Sequence, residues 1–256
     1  MTPRHSEPVL LSSIFKEISA RLAAMKITTS LFVLLLGTLL ASPVLAADCA
    51  DMPADPAIST RVDAGPVQYD RSLSVAALSG IPSESRRGGV AAYDRTLGLT
   101  EATFGVNHKV KTLTVPDGSG GFCTTAQSAE IVLKWKTTVH IASQIKPGTC
   151  MDQEVGTHEA KHVAIDRALM PIARRAVELA VTSVIRHGVA GATVAESQRN
   201  LQDQVQAAIE LALDTFSVMR LRRQLALDNP EEYDKVPQAC GVLEYIHMMH
   251  QSGDPL

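Results

Sequence analysis

The sequence predicts an α+β fold, with a small antiparallel sheet followed by a long antiparallel helical hairpin that carries an H-E-x-x-H motif. Three observations lead there. Residues 103–115 and 129–143 alternate apolar and polar side chains with period two around a Pro-Asp-Gly-Ser-Gly-Gly turn at 116–121. Residues 152–228 carry apolar side chains at helical spacing, broken by His187-Gly188-Val189-Ala190-Gly191. His158-Glu159-Ala160-Lys161-His162 lies on the first of these helices.

The 256 residues hold 24 Lys+Arg, 27 Asp+Glu and 8 His, with 45% hydrophobic and 4% aromatic residues. That composition is globular and excludes collagen-like or disordered chains. A formal charge of -3 with no block of five like charges excludes a basic nucleic-acid-binding surface.

Taken from the N-terminus, Leu31–Leu40 is a ten-residue apolar run, too short to span a bilayer of roughly 30 Å. Lys26 precedes it and Ala41-Ser42-Pro43-Val44-Leu45-Ala46 follows, so residues 1–46 are expected to be a signal peptide cleaved after Ala46. Residues 1–24 do not suit such a segment, and we expect translation to start at Met25. The mature chain then has 210 residues and a formal charge of -5. It is expected in the periplasm or outside the cell, without stable membrane insertion. All four cysteines survive and two disulfides are expected there. Of the three possible pairings, Cys123–Cys150 with Cys49–Cys240 is the one favoured.

Residues 47–64 are expected to be a linker and 65–256 a single domain. Within that domain, Val75–Ile81 suggests a short helix. On 129–143, Ile131, Leu133, Trp135, Val139 and Ile141 form the apolar members of a strand region, with Trp135 in the core. Pro171 predicts a kink or break in the first long helix. The second is expected over about 193–227, with Leu201, Val205, Ala208, Ala212, Phe216 and Met219 as its apolar stripe and Asn229-Pro230 as its stop.

The chemistry rests on the motif. Residues four apart share a helix face, so His158 and His162 can grip one Zn²⁺ at about 2.0–2.1 Å. Glu159 then stands beside a metal-bound water as its base. Chance would produce this spacing about 0.01 times in a chain of this composition. A catalytic zinc wants a third protein ligand. Asp166 is one turn further along, too far round a straight helix, and reads as a partner of the ligands or a surface charge. Folding the helices about residue 189 places 214 opposite 164, which makes Asp214 one candidate; Asp234, after the second helix, is the other and is preferred. Glu178 would need a chain reversal at Pro171. His140 reads as an exposed strand histidine, Tyr233 as an oxyanion donor or a packing residue, and His247 and His250 as a solvated face.

The run THEAKHVAID, Cys123 leading into a strand, the segment GLTEATFGVNH and Tyr233-Asp234 resemble the predicted secreted zinc-dependent proteases of bacteria, over roughly residues 65–241. The resemblance implies a zincin-like domain, zinc on His158 and His162, and Glu159 as catalytic base. It also adds to the case for Asp234. The family's C-terminal pattern continues to His-Gly, where this chain has Ala239-Cys240-Gly241. The function expected is therefore a zinc-dependent peptidase acting on a peptide or protein substrate. The alternative is a metal-binding or partner-binding envelope protein without hydrolytic activity, which would follow if only two ligands existed or if Lys161 projected into the site and competed with the metal for Glu159.

Overall fold

A computed structural model describes Cys49, residues 55–81, residues 96–241 and Ile246. The expected signal peptide, His247 and His250 lie outside the described residues. In chain order the elements are β1 (Ala57–Ala64), β2 (Gln68–Asp70), α1 (Val75–Gly80), β3 (Gly98–Pro116), β4 (Phe122–Ile141), α2 (Cys150–Ile185), β5 (Val189–Gly191), α3 (Val194–Leu227) and α4 (Pro230–Cys240).

The fold class differs from the expected one. The sheet has five strands, and β1, β2, β3 and β5 all pair with β4. Because β2 runs parallel to β4, with Gln68 opposite Thr138 and Asp70 opposite His140, the sheet is mixed and its helices make the fold α/β-like. A small antiparallel sheet preceding a helical hairpin does not describe it. The expectation fails because a three-residue parallel strand leaves no periodic pattern to read, and because β1 (AISTRVDA) occupies a stretch expected as linker.

The strands that are legible are longer than expected. β3 and β4 hold 19 and 20 residues and meet across a tight turn, where Asp117 N–H donates to the Gly121 carbonyl at 3.0 Å. Asp117 Oδ1 also accepts from the Ser119 and Gly121 N–H groups, which closes the turn from within. Pro171 does not break α2: it sits on an exposed face inside a continuous 36-residue helix.

The described residues fall into two compact units. In the first, made of residues 110–129 and 176–215 with Cys49 and 55–58, the Cys49–Cys123 disulfide spans a Cα–Cα distance of 5.7 Å. β5 runs antiparallel to the start of β4, with Ala190 opposite Cys123. Gly191 has to be glycine, since a Cβ there would lie 2.4 Å from the Ser197 backbone nitrogen. Thr114, Thr124 and Ser197 link their hydroxyls in a row at 2.8 and 2.7 Å, with Thr124 and Ser197 fully buried. Val177, Val181 and Ile185 of α2 and Leu201, Val205 and Ile209 of α3 are buried at helical spacing.

The second unit comprises residues 59–109, 130–175 and 216 onward. Its core brings Val75 and Leu78 of α1 together with Val139 and Ile141 of β4 and Met151, Val155 and Val163 of α2. Ser74 caps α1, its side chain accepting from the Ala77 N–H at 3.1 Å. Trp135 is buried as expected, edge-on to Phe104 and Phe216. The Cys150–Cys240 disulfide ties the start of α2 to the end of α4 at a Cα–Cα distance of 5.5 Å. The pairing is thus Cys49–Cys123 and Cys150–Cys240, not the favoured one, and it was decided by packing that sequence spacing does not encode. Both bonds fit an oxidising compartment. Among the described residues, no helix is long and apolar enough to cross a membrane.

Candidate metal centre

The centre lies within the second unit, where the first half of α2 meets the last turns of α3. His158 and His162 project from one face of α2, as i and i+4 must. The third side chain is Asp228, which directly follows α3. His162 Nε2 lies 3.1 Å from His158 Nε2 and 2.9 Å from Asp228 Oδ1, and His158 Nε2 lies 3.3 Å from the same oxygen. Tetrahedral coordination with metal–ligand bonds of 2.0–2.1 Å separates its donor atoms by about 3.3–3.4 Å. These three atoms therefore sit at or slightly inside the edge lengths of one zinc coordination shell. Two imidazole nitrogens and a carboxylate oxygen are also an ordinary zinc donor set, although other divalent metals accept it.

Burial sets the electrostatics. Asp228 is 6% exposed; burial alone would disfavour its charge, but the two imidazoles outweigh that and hold its carboxyl well below the usual carboxylate range. For His162, burial likewise disfavours the charged ring, and Asp228 and Glu159 reverse the balance and raise its pKa above 6.5. Glu159 moves the other way. It is 3% exposed, and burial pushes its carboxyl above 4.5 despite the two histidines and a hydrogen bond from Thr100.

β3 positions that glutamate. Thr100 Oγ1 donates to Glu159 Oε2 at 2.7 Å, and Gly98, two residues earlier and hence on the same strand face, leaves room for the other oxygen. A Cβ at 98 would lie 2.6 Å from Glu159 Oε1 and 2.7 Å from Val155 Cγ1.

Outer partners fix the ligands. Gln224 Oε1 lies 2.5 Å from His162 Nδ1, while its Nε2 donates to Asp166 Oδ1 at 2.7 Å and to the His162 carbonyl at 3.3 Å. Arg220 grips Asp166 with two bonds, Nε to Oδ1 at 2.7 Å and Nη2 to Oδ2 at 3.0 Å. Tyr233 lies tilted against the His158 ring with centroids 5.5 Å apart. Lys161 points to Glu232 Oε2 at 2.5 Å, and Lys235 pairs with the other oxygen of the same carboxylate. Held between these two ammonium groups, Glu232 titrates at about 2.

Several expected residues are placed elsewhere. Asp234 and Asp214 are both exposed, and neither belongs to the three-donor group; Asp228 takes that place. Asp166 is fully buried as a partner of the ligand shell. Glu178, on α2 in the first unit, is half-buried. His140 is not an exposed strand histidine: it is 8% exposed, donates from Nδ1 to Asp70 Oδ2 at 3.0 Å, and has Glu101 Oε2 3.5 Å from Nε2.

Asp228 left a signal in the sequence. A carboxylate at a helix C-terminus faces the negative end of the helix dipole and is the wrong sign for that position. Something cationic nearby is the natural compensation. Comparison with known proteins returns no match to this chain among family models, curated proteins or solved structures.

Proposed function

We propose that this chain is a zinc-dependent peptidase, with His158, His162 and Asp228 as metal ligands and Glu159 as general base. The observation that carries the reading is the convergence at 2.9–3.3 Å of three donor atoms, two on the buried His162 and Asp228 and one on the half-buried His158, beside a buried glutamate that is not one of them. Zinc held by His158, His162 and Asp228 would lower the pKa of a bound water to about 7 and would polarise a substrate carbonyl.

The chain's own part is proton handling and orientation. Thr100 occupies Glu159 Oε2, which leaves Oε1 to take the proton of an attacking water and return it to the leaving amine. Burial makes this carboxylate more basic than an exposed one and so better matched to that task near neutral pH. Lys161 is engaged by Glu232 instead of competing for Glu159, which weighs against the non-hydrolytic alternative. The disulfides, the apolar run at 31–40 and the resemblance to predicted secreted zinc-dependent proteases support a periplasmic or secreted setting.

The test is zinc content and cleavage of a quenched-fluorescence peptide library by the wild type, Glu159→Gln and His162→Ala. Glu159→Gln should keep its zinc and lose about 10²- to 10⁴-fold in kcat/KM; His162→Ala should lose both. A wild-type protein that takes up no zinc, or a Glu159→Gln variant as active as wild type, would refute the proposal.

A further inference from the structure

We propose that Arg220, Asp166 and Gln224 act as a directional relay that fixes the His162 proton on Nδ1 and so keeps Nε2 bare for a metal ion. The inference rests on the metal-centre reading above and concerns three positioning residues, none of which touches the metal or the substrate.

The direction follows from which groups can only donate and which can only accept. A guanidinium has no acceptor, so Asp166 receives both of its bonds from Arg220. An ionised Asp166 has no donor, so the Gln224 group 2.7 Å from Oδ1 must be the amide nitrogen. The His162 carbonyl, 3.3 Å from that same nitrogen, demands the same orientation. Both acceptors thus prevent the amide from flipping, and Gln224 Oε1 is left facing His162 Nδ1 at 2.5 Å. An amide oxygen only accepts. The ring must therefore donate from Nδ1, and a neutral His162 has its lone pair on Nε2, aimed at His158 Nε2 and Asp228 Oδ1.

The relay is enclosed. Asp166 is fully buried, and Arg220, Gln224 and His162 are 7–9% exposed. An ion pair at such a depth between two helices is rarely a better source of stability than apolar side chains of the same volume. Its value here is orientation, which an apolar pair cannot transmit. His158 Nδ1 instead stands 4.0 Å from Glu232 Oε2, beyond hydrogen-bond reach.

Two measurements test this. Long-range ¹H–¹⁵N spectra of histidine-labelled, metal-free protein, taken at alkaline pH where the ring is neutral, should place the His162 proton on Nδ1. Zinc affinity, measured by competition with a chromogenic chelator, should fall about 10- to 100-fold in Gln224→Leu. It should also fall in Gln224→Glu, which sets a carboxylate against Asp166. Adding Asp166→Asn to Gln224→Glu supplies a donor at 166 again and should restore most of the affinity, a recovery that a purely structural role does not predict. The relay is overturned by a wild-type His162 protonated on Nε2, by a Gln224→Leu variant with wild-type affinity, or by a double variant no tighter than Gln224→Glu. A wild-type protein that binds no zinc overturns the peptidase reading instead, and the tautomer spectrum still decides the relay.

Discussion

Replacing Gly98 with alanine should separate the base from the metal ligands. The added methyl group would stand 2.6 Å from Glu159 Oε1, 2.7 Å from Val155 Cγ1 and 2.9 Å from Glu159 Cγ. Ordinary contact needs about 3.4 Å or more, so the glutamate must retreat by close to 1 Å, away from the Thr100 hydroxyl that orients it. Overpacking of this kind costs about 1–3 kcal/mol, of which the lower backbone entropy of alanine in the unfolded chain offsets up to about 1 kcal/mol. At roughly 2–4 °C per kcal/mol for a chain of this size, the net cost of about 0–3 kcal/mol should lower the melting temperature by up to about 12 °C. A catalytic group misplaced by about 1 Å loses on the order of 10²-fold in rate. Zinc affinity should stay within about threefold of wild type, because the contacts of the added Cβ are with Glu159 and Val155 and not with His158, His162 or Asp228. Thermal denaturation, chelator competition and kcat/KM on one preparation check all three. Wild-type turnover with an unchanged melting temperature would refute the assigned packing, and loss of zinc binding would refute the assignment of Gly98 to Glu159 alone.

Three further outcomes follow from the same geometry. Asp228→Asn should weaken zinc binding by at least about 100-fold, beyond what outer partners cost, whereas Asp234→Asn and Asp214→Asn should leave it unchanged; chelator competition distinguishes them, and equal losses would remove Asp228 from the ligand set. Cys240→Ser opens a loop of 90 residues' separation, and the chain-entropy relation gives a cost of about 4–5 kcal/mol, with losses of about 2–5 kcal/mol common in practice; an unchanged melting temperature would contradict the pairing with Cys150. For Asp152, burial opposes ionisation, but the Gly148 N–H at 2.8 Å and Arg71 at 2.6 Å prevail and hold its carboxyl below 3.8. A pKa lowered on folding contributes stability that is present above the unfolded value and lost as pH falls through the folded one. In metal-free protein, Asp152→Asn should therefore melt lower than wild type near neutrality and converge with it in strong acid; parallel curves over that range would refute the linkage.

What the sequence disclosed was local. The spacing of His158, Glu159 and His162 is a property of one helix turn, and the long apolar stripes of α2 and α3 are periodic enough to be read directly. Asp228 was missed by a register error. Side-chain pairs 162–224 and 166–220 are both centred on residue 193, not on 189, because β5 and the residues after it lengthen the connection between the helices. Residue 158 then falls opposite 228, and residue 164 opposite 222 instead of 214. The sheet was hidden for a different reason. β2 and β5 have three residues each, and their pairing with distant parts of β4 is fixed by packing that no short window of sequence contains.

The Cys150–Cys240 bond has a topological consequence. It closes a covalent ring that contains every proposed ligand, the base and the whole relay: residues 158, 159, 162, 166, 220, 224 and 228 all lie between the two cysteines. A single backbone cut anywhere inside that ring, including the β5 connection, leaves one covalently continuous molecule with both halves of the centre still tethered. Only a cut inside the ring combined with reduction, or two cuts inside it, can release part of the ring. Limited proteolysis run with and without reductant would thus yield different fragment sizes from the same nick.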